Sequence, residues 1–526
     1  MSDTLEVVLP KSWCWASLGE LGAWAGGGTP SKFNSDYWND GTIPWVSPKD
    51  MKTFEIFDSE DHITEEAIKG SATYLLPANS VLMVTRSGIL RHSFPVAVAR
   101  VPVTLNQDLK AIATHDGIRP AYVARALSAF AQRIIHSCSK DGTTVQSIET
   151  SQLQGFRIPI APTHEQARIL DTLDELLSDL DAGVAALERV RAKLKHYRAA
   201  VLKAAVEGNL TAQWRREHPA TETADALLTR ILAERRRRWE EAQLAKFAAA
   251  GKMPPKNWKA KYVEPTVPDA TILPPLPAGW CWASPQQIGD VQLGRQRAPA
   301  HHSGKFMRPY LRVANVYEDR IDLDSVYEMN FTPKEFDTYE LKSGDILLNE
   351  GQSLELVGRS AIFRGELPGA CFTNTLVRFR HAVGVEPEFA QIYFRSCLSS
   401  QRFRKIARWT TNIAHLGADR FAAMEFPLPP HTEQLAIVDA AQSQLSVIDH
   451  LERDLDARLK SAQSLHQSIL RHAFTGQLVP QDPNDEPASE LLKRIAAERE
   501  ERARLLRASK QAKPKTRAPR AATKKK

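Results

Sequence analysis

The residues best suited to chemistry in this chain are two small clusters of acids and histidines. Asp58, Glu60 and Asp61 place three carboxylates within four positions, and His301 and His302 are adjacent. Carboxylates and imidazoles bind metal ions when several ligands converge. The histidine pair has no Asp, Glu or Cys close to it, and an acidic run of this kind is more typical of a solvated loop. We therefore predict no metal site.

Sequence motifs of the common catalytic sites are also absent. The chain has no Gly-x-x-x-x-Gly-Lys-Ser/Thr phosphate loop, no Gly-x-Gly-x-x-Gly fingerprint, no His-Glu-x-x-His and no Gly-x-Ser-x-Gly. We predict no catalytic residue. This pattern favours a reader or a scaffold over an enzyme that acts alone.

The elements that must position any binding residues are present twice. Residues 9–17 read Leu-Pro-Lys-Ser-Trp-Cys-Trp-Ala-Ser, and residues 276–284 read Leu-Pro-Ala-Gly-Trp-Cys-Trp-Ala-Ser. Phe156–Gln166 and Phe426–Gln434 repeat a second pattern at the other end of each half. A period of 267 or 268 residues indicates a duplicated domain. A molecule with two similar halves suits a partner with two half-sites, of which duplex DNA is the leading example.

Two long helices are predicted after Glu165 and Glu433. Apolar residues recur there at steps of three and four, as in a coiled-coil seam. Each segment runs 43 positions to a glycine, Gly208 or Gly476, which is typical of a helix end. At 1.5 Å per residue each helix is roughly 60 Å long. The equal lengths favour an antiparallel pairing of the two helices; the alternative is that each packs on its own domain.

The globular stretches combine short strands, turns and helices. Val81–Val84 and Phe94–Ala99 are predicted strands, and residues 120–136 a helix after Pro120. We expect a duplicated α+β fold in which two globular α/β domains are separated by two long helices that form an antiparallel coiled coil. Its parts are predicted at 1–160, 161–210 (long helix), 211–275 (basic helix and Pro/Lys-rich linker), 276–430, 431–478 (long helix), 479–508 (C-terminal helix) and 509–526 (disordered basic tail).

The net charge of +7 is concentrated at the end of the chain. The last 20 residues have nine Lys or Arg and no acid, which leaves about −2 on residues 1–506. Such a tail either binds nucleic acid without sequence preference or is a solubilising terminus. A second basic run, Arg235–Arg238, is followed by Trp239. It suits phosphate binding, but on this helix a solvated or protein-docking face is favoured.

The sequence indicates a protein of the cytoplasm. No apolar run reaches the roughly 18–20 residues of a membrane span, and the first residues lack the pattern of a signal peptide. The five cysteines include no Cys-x-x-Cys pair, so we expect buried free thiols in a reducing compartment.

Together these motifs resemble the specificity subunit of prokaryotic type I restriction–modification systems. The resemblance covers residues 5 to about 506. It rests on the Pro-x-x-Trp-x-Trp opening of each half and on these further segments: Gly27–Ser31 with Tyr37-Trp38, Ile43–Asp50, Tyr310–Val316, Pro162–Gln166 and Pro430–Gln434.

The resemblance implies a non-catalytic, DNA-binding subunit. Each globular domain would be a target-recognition domain for one half of a split DNA site, and the helical rod would set the spacing and dock methyltransferase subunits, two of them expected. Restriction and translocation subunits would complete the complex. S-adenosylmethionine, ATP and Mg are implied for those partners, and no cofactor is expected on this chain.

DNA-facing residues are predicted from their type and from their place in polar loops beside strands. Arg, Lys, Asn and Gln hydrogen-bond to base edges, and Ser, Thr and further basic residues hold phosphates. Two readers on one face of DNA suit a separation near one helical turn, about 34 Å. The candidates are Lys49, Lys52, Arg86, Arg91, Gln107 and Thr144 in the first domain and Arg312, Asn315, Asn349, Gln352, Asn374 and Arg408 in the second.

Two other functions remain open at this stage. One is an adaptor that does not bind DNA and presents two ligand-binding domains on a coiled coil. The other is an enzyme, such as a nuclease, with an unrecognised site. Failure to bind DNA would favour the adaptor, and metal-dependent cleavage by the isolated chain would favour the enzyme.

Overall fold

A computed structural model describes residues 8–140, 146–410 and 412–512. The chain forms two compact units. Unit 1 comprises residues up to Leu187 and from Ala457 onward, and unit 2 comprises Glu188–Asp456. Each unit has one globular domain and parts of both long helices.

Unit 1 is organised around a five-stranded sheet. Its strands, in spatial order, are Gly22–Gly26, Leu109–Thr114, Val81–Val84, Val96–Ala99 and Glu55–Ile56. The predicted strand Val81–Val84 is central and fully buried, which explains its unbroken apolar sequence. A smaller sheet has the order His62–Ile63, Ile43–Val46, Thr104–Leu105.

The remaining elements of the first domain surround these sheets. The segment predicted as one helix over 120–136 forms two helices, because the chain turns at Phe130, whose φ and ψ are not helical. The pair Cys14–Ser17 and Arg157–Ile160 joins the two ends of the domain. The other elements are Glu65–Gly70, Pro120–Ala129, Ala131–Cys138, Thr150–Gly155 and the short pair Ser139–Lys140 with Ser147–Ile148.

Unit 2 repeats this topology, with four described strands instead of five in its central sheet. The central sheet has the order Gly289–Leu293, Leu376–His381, Asp345–Asn349, Ser360–Phe363, and the smaller sheet has the order Tyr327–Asn330, Met307–Leu311, Cys371–Phe372. In both smaller sheets the central strand pairs in parallel with the last one. Cys281–Ala283 and Phe426–Leu428 join the ends of this domain as in unit 1. The duplication predicted from the sequence is confirmed.

Further elements of unit 2 complete its domain and its connections. Val316–Tyr317 pairs with Arg320–Ile321, and Gly351–Gln352, Ala414–His415 and Arg408–Trp409 form a small three-stranded sheet. The helices are Ala212–Glu217, Ala224–Ala249, Pro285–Ile288, Pro333–Tyr339, Pro387–Ser399, Arg402–Ile406 and Ala418–Ala422.

The two long helices are Thr163–Val206 and His431–Ala473. Within unit 2 they run antiparallel, because Arg191 pairs with Asp456 and Arg198, further along, pairs with the earlier residue Asp449. The seam is only partly covered there, and Val190 is 44% exposed. A two-helix coil leaves such positions half-open. The predicted fold class, including the antiparallel helices, is confirmed.

A further helix follows each long helix and packs on the domain of its unit. Ala224–Ala249 starts with the amide of Ala224 donating to the Gly279 carbonyl. Ala488–Ala512 starts with the equivalent bond from Ala488 to Ser12. The second helix continues to Ala512, four residues beyond the predicted boundary of the tail, and residues 513–526 lie outside the described part of the chain.

The basic run and the linker that follows it are held within unit 2. Arg237 and Arg238 both pair with Glu234, so much of this charge is neutralised. Trp258, in the segment predicted as an extended linker, stacks on Trp239 with ring centroids 5.9 Å apart. The segment therefore packs against the helix Ala224–Ala249.

Candidate nucleic-acid interface

In unit 1, several loops and a strand pair meet at one end of the strands of the central sheet. We call this surface loop edge 1. Its components are residues 26–31, 47–52, 85–91 and 106–108 and the strand pair Ser139–Lys140 with Ser147–Ile148. Backbone hydrogen bonds join them. Thr85 donates to the Asp108 carbonyl (2.8 Å) and accepts from the amide of Ile148 (2.8 Å), and Asn106 donates to Val46 (2.9 Å).

The same bonds build loop edge 2 in unit 2, from residues 294–298, 312–315, 350–353, 373–375, 407–410 and 412–415. Glu350 donates to the Thr375 carbonyl (2.9 Å) and accepts from the amide of Leu416 (2.8 Å). Thr373 donates to Leu311 (3.1 Å). The two edges thus share a backbone frame even though their side chains differ.

A glycine stands at the same place in both frames. A Cβ on Gly27 would lie 1.7 Å from the Asn106 carbonyl oxygen, and one on Gly294 would lie 2.1 Å from that of Thr373. Both positions need glycine because another backbone passes too close for a side chain. The glycine-rich sequence at 26–28 has no close match near Gly294, yet Gly27 and Gly294 are structurally equivalent.

Five of the six predicted residues of the first domain belong to loop edge 1: Lys49, Lys52, Arg86, Arg91 and Gln107. Arg86, Arg91 and Lys52 are exposed and make no ion pair with any residue that the structure describes. Gln107 is exposed and accepts a hydrogen bond from the Thr29 hydroxyl. Thr144 lies outside the described residues.

Lys49 differs from the other basic residues of loop edge 1. Its ammonium lies 2.9 Å from Asp61 and 3.2 Å from Glu60. The hydrogen bond to Asp61, supported by the charge of Glu60, raises the pKa of Lys49 above its ordinary value. The carboxylates here compete with any phosphate, so the Lys49 ammonium is less available to an anion than that of Lys52.

Four predicted residues of the second domain present side chains at loop edge 2. Gln352 and Asn374 are half-buried, and Arg408 is exposed. Arg312 is half-buried, with its guanidinium 4.6 Å from the centre of the Tyr327 ring and 3.3 Å from the Ser325 hydroxyl. The ring fixes the direction of the Arg312 side chain.

Asn315 and Asn349 are buried, and their side chains are not available to a ligand in this structure. The Asn315 amide group donates to the carbonyls of Asp322 (2.9 Å) and Ser325 (3.1 Å) and accepts from the amide of Arg312. The Asn349 side chain donates to Val316 (3.3 Å). Both residues shape the loops from inside, a role that residue type alone does not distinguish from reading bases.

Sequence reasoning missed Trp409 and Arg297 at loop edge 2, and Arg404 and Lys405 on the helix Arg402–Ile406 that directly precedes its last segment. Trp409 is 54% exposed, and Arg297, Arg404 and Lys405 are also exposed. No motif marks them. A tryptophan next to Arg408 in a predicted polar loop is the one signal that was available.

The acids of the cluster at residues 58–61 contact basic side chains. Asp58 contacts His62 at 2.7 Å, and Glu60 and Asp61 contact Lys49. Over the described ranges, no group of three His, Cys, Asp or Glu residues has the arrangement that a metal ion needs.

A buried glutamate at the start of each long helix joins three parts of its unit. Glu433 accepts from the Trp280 indole, the Thr211 hydroxyl and the Arg215 guanidinium, each at 2.8 Å. These donors come from the start of the second domain and from the chain after the first long helix.

Its counterpart Glu165 accepts from the Trp13 indole (2.9 Å) and the Gln481 amide (2.5 Å). The neighbouring Arg168 pairs with Asp485 (2.7 Å) instead. Burial raises the pKa of Glu165, against the hydrogen bonds from Trp13 and Gln481. The repeated Trp-x-Trp and Glu-Gln motifs therefore form the junctions between domain and helices.

Among the described residues, no helix is long and apolar enough to cross a membrane.

Comparisons with known proteins give one consistent family. Residues 10–189 match the model of the type I restriction modification DNA specificity domain. The type I restriction enzyme EcoR124I/EcoR124II specificity subunit of Escherichia coli is 42% identical over 186 residues, which are 35% of this chain and 46% of that relative. The matched part thus spans about half the length of that protein.

Two further matches extend over most of the chain. The type I restriction enzyme StySPI specificity subunit of Salmonella potsdam is 25% identical over 517 residues, or 93% of this chain and 96% of that relative. A solved chain from a study of complex assembly and conformational transition of the type I R-M system has a TM-score of 0.56 at 15% identity, covering 90% of this chain and 100% of its own. This likeness is one of fold.

Proposed function

We propose that this chain, which belongs to the family of type I restriction–modification specificity subunits, reads a bipartite DNA target with loop edge 1 on one half and loop edge 2 on the other. It carries no catalytic residue of its own in this proposal. It acts as the non-catalytic subunit of a DNA adenine methyltransferase and restriction complex.

One observation carries the proposal: the two loop edges share a backbone frame but present different side chains. In unit 1 a single β-bridge pairs Arg86 with Ser147. At the equivalent place in unit 2, Gly351 pairs with His415. Gly28 in unit 1 and the buried Arg295 in unit 2 make equivalent backbone bonds, to Leu105 and Phe372. Two copies of one scaffold with diverged loops are what reading two unlike half-sites requires.

The side chains presented at the two loop edges have the chemistry that base reading needs. Arg86 and Arg408 suit the acceptors of guanine, and Gln107, Gln352 and Asn374 suit adenine. Each bidentate contact of this kind discriminates by about 1–3 kcal/mol. Lys52, Arg91, Arg404 and Lys405 suit phosphates.

The long helices are the part of the chain that would set the distance between the two readers and bind the partner subunits. We propose that the helical rod holds the two readers at a fixed separation and docks methyltransferase subunits, two per chain, and that restriction subunits join this complex. S-adenosylmethionine, ATP and Mg would belong to those partners. The site of action is the prokaryotic cytoplasm, where the DNA is.

The test is a map of adenine methylation. The chain is co-expressed with a cognate methyltransferase subunit, and the host DNA is sequenced with single-molecule detection of methylated adenine. The expected result is one motif with two short defined halves around a fixed unspecified gap. A stable, active complex that gives no motif would contradict the proposal and favour an adaptor that does not bind DNA.

A further inference from the structure

A short hairpin extends from loop edge 2. Arg408–Trp409 pairs antiparallel with Ala414–His415, and the amide of Thr410 donates to the Ile413 carbonyl at 2.9 Å. The hairpin is fixed at its base, where Gly351–Gln352 pairs with Ala414–His415. A guanidinium nitrogen of Arg420 donates to the His415 carbonyl at 2.7 Å. The strand Arg408–Trp409 is the outer strand of this small sheet.

The hairpin exposes apolar surface that the described part of unit 2 does not cover. Trp409 is 54% exposed and Ile413 is 46% exposed, whereas Trp280 in the same unit is 6% exposed. Exposing a large aromatic ring to water is unfavourable, and such residues on a rigid element mark contact sites.

The same surface carries an excess of positive charge, although the charge of Arg404 also acts on Glu355. Arg404, Lys405 and Arg408 are exposed and form no ion pair with the described residues. Their neighbours are engaged, since Arg402 pairs with Glu425 and Arg420 donates to the backbone of Ile406 and His415. A rigid aromatic beside three available cations suits a polyanion with apolar features, and duplex DNA is such a polyanion.

We infer that this hairpin enters the major groove of the half-site that unit 2 binds. The inference rests on the proposed function. A two-stranded ribbon has strands about 5 Å apart and fits a groove about 12 Å wide. Arg408 then reads a base edge, Trp409 packs against an apolar group such as a thymine methyl, and Arg404 and Lys405 hold phosphates.

The inference is specific to the second half-site. The strand pair at the equivalent place in unit 1 consists of Ser139–Lys140 and Ser147–Ile148 and has no aromatic residue. Substitution of Trp409 is therefore expected to change recognition of one half of the target and to leave the other half unchanged.

The test uses the full chain in its complex with the methyltransferase, with the methylation map and the rate of methylation as readouts. Arg408→Ala is expected to relax the preference at one base pair of the second half by about 5- to 150-fold. Trp409→Ala is expected to slow methylation of sites with the intact second half by at least about tenfold, as the loss of a packed aromatic contact implies. The first half and the gap stay as in the wild type.

Matched controls come from the opposite end of the same central sheet. Val383, 70% exposed, follows the far end of the strand Leu376–His381. Arg364 follows the far end of Ser360–Phe363 and pairs with Glu388. Val383→Ala and Arg364→Ala are expected to leave the motif and the rate unchanged.

The outcomes separate the inference from the proposed function. In one outcome the wild type gives a bipartite motif while Trp409→Ala and Arg408→Ala behave like their controls. That result would overturn the role of the hairpin in DNA binding and leave the proposed function intact. Absence of any wild-type motif would overturn both. If Trp409→Ala lowers the melting temperature, Arg408→Ala decides, since its exposed side chain has no partner to lose within the described residues.

Discussion

The two glutamate junctions respond differently to the same substitution. Glu433→Gln and Glu165→Gln each replace a buried carboxylate by an amide of nearly the same shape. At Glu433 three donors converge on the carboxylate, from Trp280, Thr211 and Arg215. An amide has one accepting oxygen and one donating nitrogen, so its nitrogen must face a donor.

The cost at Glu433 follows from these contacts. One hydrogen bond to a charged group is lost, which is about 1.5–3 kcal/mol. The ion pair with Arg215 is lost too, and because Arg215 is 22% exposed we count only about 1 kcal/mol for it. The sum, about 3 kcal/mol, corresponds to roughly a 150-fold change in a local opening equilibrium.

Glu165→Gln costs much less. The Gln481 amide can rotate by half a turn and accept from the new amide while Trp13 still donates to its oxygen. The substitution also removes the penalty of burying a charge. We expect the free energy of opening at this junction to change by less than about 1 kcal/mol at neutral pH.

The pH dependence at Glu165 has a definite sign. Because burial raises the pKa of Glu165 above its ordinary value of 4.5, the folded junction binds more protons than the unfolded chain between these two values. The stability of the wild-type junction therefore falls as pH rises through that range. Glutamine does not titrate, so the stability of the Glu165→Gln junction rises relative to that of the wild type from pH 4 to pH 7.

The assay is hydrogen exchange by mass spectrometry on the full chain. Peptides spanning Gly208–Glu217 report the Glu433 junction and peptides spanning 476–485 report the Glu165 junction. We expect exchange at the first site to rise by about 150-fold in Glu433→Gln and exchange at the second to change little in Glu165→Gln. Equal effects at both junctions, or a larger effect of Glu165→Gln, would refute this reasoning.

Three other predictions concern loops and thiols. Asn315→Ala removes the two hydrogen bonds that its side chain donates to the carbonyls of Asp322 and Ser325 and should destabilise the chain to urea by about 1–3 kcal/mol without changing the methylation motif; a changed motif at full stability would instead assign Asn315 to base reading. Gly27→Ala puts a Cβ 1.7 Å from a carbonyl oxygen, so it should lower the melting temperature and weaken recognition of the first half, and a variant as stable as the wild type would contradict the close approach. Burial raises the pKa of Cys371 and of Cys397 to about 12, so iodoacetamide at pH 8 should modify both only in urea, and modification of the native chain would show that they are accessible.

The fold was largely predictable because its strongest signals are repeated and periodic. The Trp-x-Trp openings, the Glu-Gln helix starts and the heptad-like leucines each appear twice, and the structure assigns each pair to one structural role. The boundary at Phe130 was missed, since an aromatic residue between two apolar helices gives no sequence sign of a turn. The contact between Trp258 and Trp239 was missed because Trp258 lies in a segment whose Pro/Lys-rich composition predicts an extended linker.

The candidate site was less predictable than the fold. Residue type suggested Asn315 and Asn349 as readily as Arg408, although burial separates them completely. Lys49 looks like Lys52 in the sequence, but its side chain pairs with Glu60 and Asp61, which lie eleven and twelve residues further along the chain. Which polar side chain faces solvent depends on contacts between distant loops, and no local pattern encodes those contacts.

In the proposed function each unit reads its own half of one target. The most direct test replaces residues 10–160 by the corresponding domain of a relative with a different target and maps adenine methylation by the resulting chain with its methyltransferase subunit. We predict that one half of the motif changes to that of the donor while the other half and the gap length stay the same. A chimaera that folds and methylates but changes both halves, or neither, would contradict the claim.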